Sequence, residues 1–114
     1  MASKINTLRR SSDFLYIKEN GKKIYSGRWI LLNYIENQQK SHRFGWTISS
    51  KVGSAVLRNK FKRWCREFLK KETLTTDKNY DVNIILRVSR NVDFKKLSFD
   101  EFQKALQAGF RQIR

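Results

Sequence analysis

The 114-residue chain has one cysteine, Cys65, one histidine, His42, and no proline. A single cysteine excludes an intramolecular disulfide, and together with one histidine it cannot supply the four Cys/His ligands of a structural zinc site. The same scarcity removes Cys/His and Ser/His/Asp catalysis unless His42 sits beside a nucleophile. In the polar stretch Gln38-Gln39-Lys40-Ser41-His42-Arg43 that histidine reads as a solvated loop residue. Acids are scarce too: ten Asp and Glu stand against 25 Lys and Arg, a formal net charge of +15. A small domain holding that much like charge repels itself unless a polyanion relieves it, and nucleic acid is the first candidate. An acidic membrane surface is the rival. No apolar run approaches the ~20 residues of a membrane span, and no N-terminal signal peptide is evident, so the cytoplasm is the expected location. A nuclease acting alone would need acids or histidines arranged for proton transfer or metal binding. The nearest acidic pair, Asp77 and Asp81, fits turn positions flanking a strand.

What is present suffices for one folded domain spanning residues 1–114. Hydrophobic residues make up 39% and aromatics 13%, enough for a core, and neither a linker nor an internal repeat divides the chain. Ser11-Ser12, then Asp13 to Lys18, then Asn20-Gly21 read as N-cap, short helix and C-cap glycine. The run Trp29 to Ile35 is β-rich and nearly all apolar, as in a strand buried on both faces. Across a polar turn from Glu36 to Ser41, Phe44, Trp46 and Ile48 alternate with small or polar residues, and the two runs suggest a hairpin. A further strand at Val82 to Val88 puts Val82, Ile84, Leu86 and Val88 on one face. Ser98 with Glu101 forms a capping box, Leu97 with Phe102 a hydrophobic staple, and Phe102, Ala105, Leu106, Gly109, Phe110 and Ile113 follow helical spacing.

The most informative segment runs from Gly53 to Glu72. At about 100° per residue, Leu57, Phe61, Trp64, Cys65 and Phe68 form a core-facing stripe, so Cys65 reads as a buried small hydrophobe. Arg58, Asn59, Lys62, Arg63, Arg66 and Lys70 share a neighbouring arc of roughly 140° without an acid, and Glu67 lies outside it. Like charges four residues apart repel by about 0.2 to 0.5 kcal/mol, and Arg58, Lys62, Arg66 and Lys70 accept this three times in succession. A merely soluble basic face is the bland explanation. A ladder of cations matched to phosphates explains the missing acids better. Asn59 among them can address a base edge or a 2′-hydroxyl, or help hold a hydrated metal ion through its oxygen.

These residues carry a resemblance. Gly45-Trp46-Thr47-Ile48-Ser49-Ser50-Lys51-Val52-Gly53-Ser54-Ala55-Val56-Leu57-Arg58-Asn59-Lys60-Phe61-Lys62-Arg63-Trp64-Cys65-Arg66-Glu67 resembles the signature of the bacterial ribonuclease P protein family, G-[hydrophobic]-S-V-S-K-K-V-G-x-A-V-x-R-N-R-x-K-R-x-x-R-E. Leu8-Arg9 through Asp13-Phe14 to Gly21, Tyr80-Asp81-Val82 and Leu97-Ser98-Phe99 agree with the family's first helix, fourth strand and last helix. The resemblance implies an α/β (α+β) two-layer sandwich, ribosomal protein S5 domain 2-like, in the order α-β-β-β-α-β-α with a left-handed β-α-β crossover, and it places a first strand near Ile24. It implies that Arg58, Asn59, Lys60, Lys62, Arg63 and Arg66 contact a catalytic RNA subunit. It also implies a cleft for the 5′ leader of precursor tRNA, assigned here to Phe14, Tyr16, Lys18 and Lys51. By the same resemblance the RNA subunit, with Mg2+ bound mainly by that RNA, cuts the leader to give the mature 5′ end. The protein then contributes no catalytic residue, and neither a small-molecule substrate nor a membrane enters.

Three positions depart from the signature. Lys60 stands where the family usually has Arg and loses bidentate geometry. Ser50 replaces the first of two usual lysines, and Lys18 stands where an aromatic is expected four residues after Phe14. A structural RNA-binding protein of ribosomal type, with no link to catalysis, is the alternative that composition leaves open.

Overall fold

The computed structural model describes residues 5–72, 74, 76–90 and 92–113. Among them, the elements follow in the order α1 (Ser11–Asn20), β1 (Lys22–Ser26), β2 (Ile30–Glu36), β3 (Arg43–Ile48), a 3-10 turn at Ser50–Val52, α2 (Ala55–Lys71), β4 (Tyr80–Leu86) and α3 (Phe99–Phe110). This is the expected α+β order, with the first strand at the place the resemblance gave it.

The strands form one sheet in the spatial order β1-β2-β4-β3. β1 and β2 are the hairpin, joined through Gly27, whose φ of 62° lies in the left-handed region that glycine enters without strain. β2 and β3 do not form the hairpin expected from their adjacency. β4 lies between them, antiparallel to β2 and parallel to β3. The parallel pairing requires a crossover, and α2 supplies it.

Register sorts the side chains onto two faces. On the core face, Ile24, Ile30, Leu32, Tyr34, Tyr80, Val82, Ile84 and Leu86 are buried against Phe61, Phe68, Phe102, Leu106 and Phe110 of α2 and α3. Rings dominate this layer: Phe61 meets Trp64, Phe94 and Phe102 with centroids 5.3 to 6.0 Å apart. The strand expected through Val88 ends at Leu86, and Val88 is half-exposed. The core stripe of α2 extends to Leu69, which is also buried.

The opposite face carries Leu31, Asn33, Asp81, Asn83, Gly45 and Thr47, and α1 packs across β2 and β4 on this side. Ile17 is its buried anchor, and Leu15 is exposed. The cap of α1 is Arg10 rather than Ser11 or Ser12, and its side chain makes no capping bond. Gly21 does end the helix, but with an extended φ of −81°. Its small size matters instead, because a Cβ there would stand 2.5 Å from the Ile17 carbonyl and 2.6 Å from Asn33 Oδ1. α3 begins with the expected capping box between Ser98 and Glu101.

Candidate RNA interface

Ser54 caps α2 by accepting from the Leu57 backbone N–H at 3.2 Å, and seventeen helical residues follow. Burying Phe61, Trp64, Cys65, Phe68 and Leu69 fixes the rotation of the helix, so Asn59, Lys62, Arg63, Arg66 and Lys70 face outward and are exposed. Arg58 is half-buried at the start of the row, where its Nε donates to the Gly53 carbonyl at 3.2 Å. Arg66 lies with its guanidinium carbon 5.4 Å from the Trp46 ring centroid, which ties the ladder to the edge strand β3. Glu67 approaches Arg63 at 3.9 Å, an exposed pair of little energetic weight. Lys62 and Lys70 enter no ion pair among the described residues.

Lys60 borders this row. Its ammonium lies 4.6 Å from the Trp64 ring centroid, on the other flank of the buried stripe, about 60° around the helix from Arg63. The structure therefore brings Arg58, Asn59, Lys62, Arg63 and Arg66 together, with Lys60 half-buried beside Arg63 at the edge of the row.

The residues assigned to a leader cleft divide similarly. Phe14 is half-buried, and its ring lies over Gly45, where a Cβ would meet the ring at 2.6 Å; the glycine makes the seat. Lys18 shares that side of α1 by helical spacing and is exposed. Tyr16, about 160° around the helix from Phe14, faces away from the sheet and is 58% exposed. Lys51 sits in the 3-10 turn and lines a hollow with Val88 and Ser89 at the far end of the parallel strands.

Beyond α1 the open face continues as a cross-strand row that sequence reading missed: Tyr25, Leu31, Ile85 and Thr47 stand in register across all four strands. Tyr25 is 55% exposed and Thr47 is exposed. Alternation in Lys23-Ile24-Tyr25-Ser26 was the available signal. Next to this row, beneath the end of α1, Asn33 and Asn83 are buried, and Asn33 Oδ1 has no hydrogen-bond partner among the described residues.

At the other end of the face Asp81 is buried beneath a bidentate Arg43, with Nε at 2.8 Å and Nη2 at 2.6 Å, and Asn37 donates to it at 2.8 Å. Hydrogen bonding to Asp81 is the main reason that the Arg43 pKa is raised further. With Asp13 at 3.8 Å, this group fastens α1 and β3 to β4. Asp81 thus has an architectural role. His42 also differs from the solvated loop residue expected. Its Nδ1 accepts from the Tyr80 backbone N–H at 3.0 Å, which leaves Nε2 to donate to the Leu74 carbonyl at 2.9 Å. Burial pushes the Cys65 thiol up to about 12, so it is no nucleophile at neutral pH. Among the described residues no three His, Cys, Asp or Glu side chains come together as metal ligands, and no helix is long and apolar enough to cross a membrane.

Known proteins share this architecture and sequence pattern. The protein from Thermotoga maritima described as an RNase P protein is similar in structure, with a TM-score of 0.84 at 28% identity over 96% of this chain and 98% of that one. The RNase P protein of Staphylococcus aureus gives a TM-score of 0.79 at 27% identity, covering 95% of this chain and 94% of the other. In sequence, the ribonuclease P protein component of Fusobacterium nucleatum is 31% identical over 110 residues, 96% of this chain and 98% of that protein. A family profile described as Ribonuclease P matches residues 2–114. With that match spanning nearly the whole chain and the fold in agreement, the chain belongs to the ribonuclease P protein family of bacteria, whose members are protein components of a tRNA-processing enzyme.

Proposed function

We propose that the chain binds the catalytic RNA of ribonuclease P through the outward face of α2, and the single-stranded 5′ leader of precursor tRNA through the open sheet face beside α1. The observation that carries this reading is the row Arg58, Lys62, Arg66 and Lys70, presented by a helix whose rotation the core fixes and left almost without acid partners. Cations fixed on a rigid element release counterions from RNA without first losing their own ion pairs. Phe14 on its glycine seat offers a ring face on which a leader base can stack without demanding a sequence.

Hydrolysis belongs to the RNA partner in this reading. Magnesium would supply charge stabilisation and an activated water there, and within the cationic row of α2 the exposed Asn59 would offer such an ion its side-chain carbonyl oxygen. The protein's part is to add phosphate contacts to both RNAs and lower their mutual repulsion, in the cytoplasm where both occur. A purely structural RNA-binding role would use the same cations, so activity must discriminate. Added to catalytic RNA and precursor tRNA at low magnesium, the chain should raise correct 5′ cleavage. The Arg58→Ala, Lys62→Ala, Arg66→Ala triple variant should bind the catalytic RNA more weakly, with the salt slope flattened by about one unit per lost phosphate contact. An unchanged slope would reduce the ladder to a solvated face.

A further inference from the structure

The cations of the α2 row are held in two different ways. Lys62 and Lys70 are exposed and enter no ion pair or ring contact among the described residues. Arg58 and Arg66 are each anchored, and in a way that leaves the phosphate-binding end of the guanidinium unused. Arg58 engages only its Nε, which donates to the Gly53 carbonyl at 3.2 Å. Arg66 holds its guanidinium carbon 5.4 Å from the Trp46 ring centroid, and attraction to a ring face engages none of its five N–H donors. An ion pair would have occupied those donors, and neither arginine enters one among the described residues. The two stand eight residues apart, about 12 Å along the helix axis.

The ring that receives Arg66 has a fixed seat. Trp46 belongs to β3, an edge of the sheet, in register with Ile84 of β4. With Phe44 and Ile48 it packs against the core, yet it is only half-buried, so the core fixes one side of the ring while another reaches the surface beside α2. Filling this part of the core asks only for an apolar residue, and an aliphatic side chain would meet that demand. Indole adds a face of negative potential, the most favourable that any side chain offers a cation. An arginine moving freely in solvent loses rotamer freedom when it grips a phosphate, whereas one already held against a ring has given up part of that freedom on folding. The difference amounts to about two- to tenfold in affinity for one long side chain.

We infer that Trp46 is a positioning residue of the RNA interface: it holds the Arg66 guanidinium ready for a phosphate, and with the backbone-anchored Arg58 it fixes two phosphate positions about 12 Å apart along α2. This rests on the proposed binding of RNA by the α2 row. Arg66 touches the RNA, and Trp46 acts through it. Lys62 and Lys70 add charge around the two fixed points without selecting a register.

The test uses the full chain and its catalytic RNA, with affinity measured over a range of salt and well below each variant's thermal midpoint. Arg66→Ala should weaken binding and flatten the salt slope by about one unit. Trp46→Leu keeps an apolar side chain for the core and should weaken binding about two- to tenfold while the slope holds, because the charge is still present. Trp46→Phe, which retains a ring face, should recover most of that loss. Combined with Arg66→Ala, Trp46→Leu should add nothing, as expected of two residues that act as one unit. Arg66→Lys alters only an exposed residue, so it examines the same link without disturbing the core. It keeps the charge but loses the planar fork, and should bind about as weakly as Trp46→Leu with the slope again held. Equal weakening by Trp46→Leu with and without Arg66→Ala would overturn the inference, since Trp46 would then support the fold or meet the RNA itself. Full affinity in Trp46→Leu, Arg66→Lys or Arg66→Ala would overturn it as well. If the Arg58→Ala, Lys62→Ala, Arg66→Ala variant kept the slope of the unmodified chain, the reading of α2 as an RNA-binding face would itself fall, and that outcome does not involve Trp46.

Discussion

The two faces of the sheet are built on opposite terms. The core face is sealed by two helices and an interlocking set of rings, with Phe61, Phe68, Phe102 and Leu106 fully buried. The open face has one short helix over part of its area, buried amides beneath the helix end, and an exposed tyrosine and threonine beyond it. Stability is concentrated on one side, which frees the other for a ligand. The +15 charge can be borne because apolar burial on the core face is independent of it.

Substitutions on the two faces should sharpen this contrast. The largest effect is expected from Phe102→Ala, which empties a fully buried ring site contacted by Trp29, Phe61, Trp64 and Phe99. It should cost about 3 to 5 kcal/mol, a large part of the stability of a small domain, as read by urea unfolding. Phe14→Ala, on the open face, removes a half-buried ring and should cost only about 1 to 2 kcal/mol of stability. Its affinity for precursor tRNA should fall by about 1 to 3 kcal/mol while affinity for mature tRNA holds. Equal weakening toward both tRNAs, or a stability loss like that of Phe102→Ala, would make Phe14 another core residue. The smallest effect separates two lysines two residues apart on α2. Lys62→Gln should lower the salt slope of RNA binding by about one unit, and Lys60→Gln, on the Trp64 flank, should leave it nearly unchanged. The reverse result would place the RNA on the other side of the helix.

Much of this was legible in the chain because it depends on local periodicity. The α2 stripe, the capping box at Ser98 and Glu101 and the buried run of β2 each show within a few residues of sequence. What was misread depends on distant neighbours. β2 and β3 look like a hairpin because only a polar turn separates them, and nothing within either strand tells that β4 enters between them. β1 was faint because it is a five-residue edge strand beginning with two lysines, and its assignment came from the family resemblance alone. Of the site residues, the ladder was readable from helical spacing, since a helix face is a local property. The place of Lys60 at the edge of the row depended on how Trp64 packs, the outward turn of Tyr16 on where α1 lands, and the exposure of Tyr25 on a strand that the residues alone did not disclose.

The insertion of β4 between β2 and β3 also governs the order of assembly. The β1–β2 hairpin closes across three residues as soon as Glu36 has been made, but the other edge of β2 pairs only with residues 80 to 86. Until those arrive, Ile30-Leu31-Leu32-Asn33-Tyr34-Ile35 is an apolar strand with an unsatisfied edge, the kind of segment that recruits a second copy of itself. Long-range pairing is slow to form, so the exposure is prolonged. Nascent and refolding chains meanwhile carry lysines and arginines on both sides of that strand, and mutual repulsion keeps neighbouring copies apart. The charge that suits the finished protein to RNA thus also protects the unfinished one from its own β2 edge.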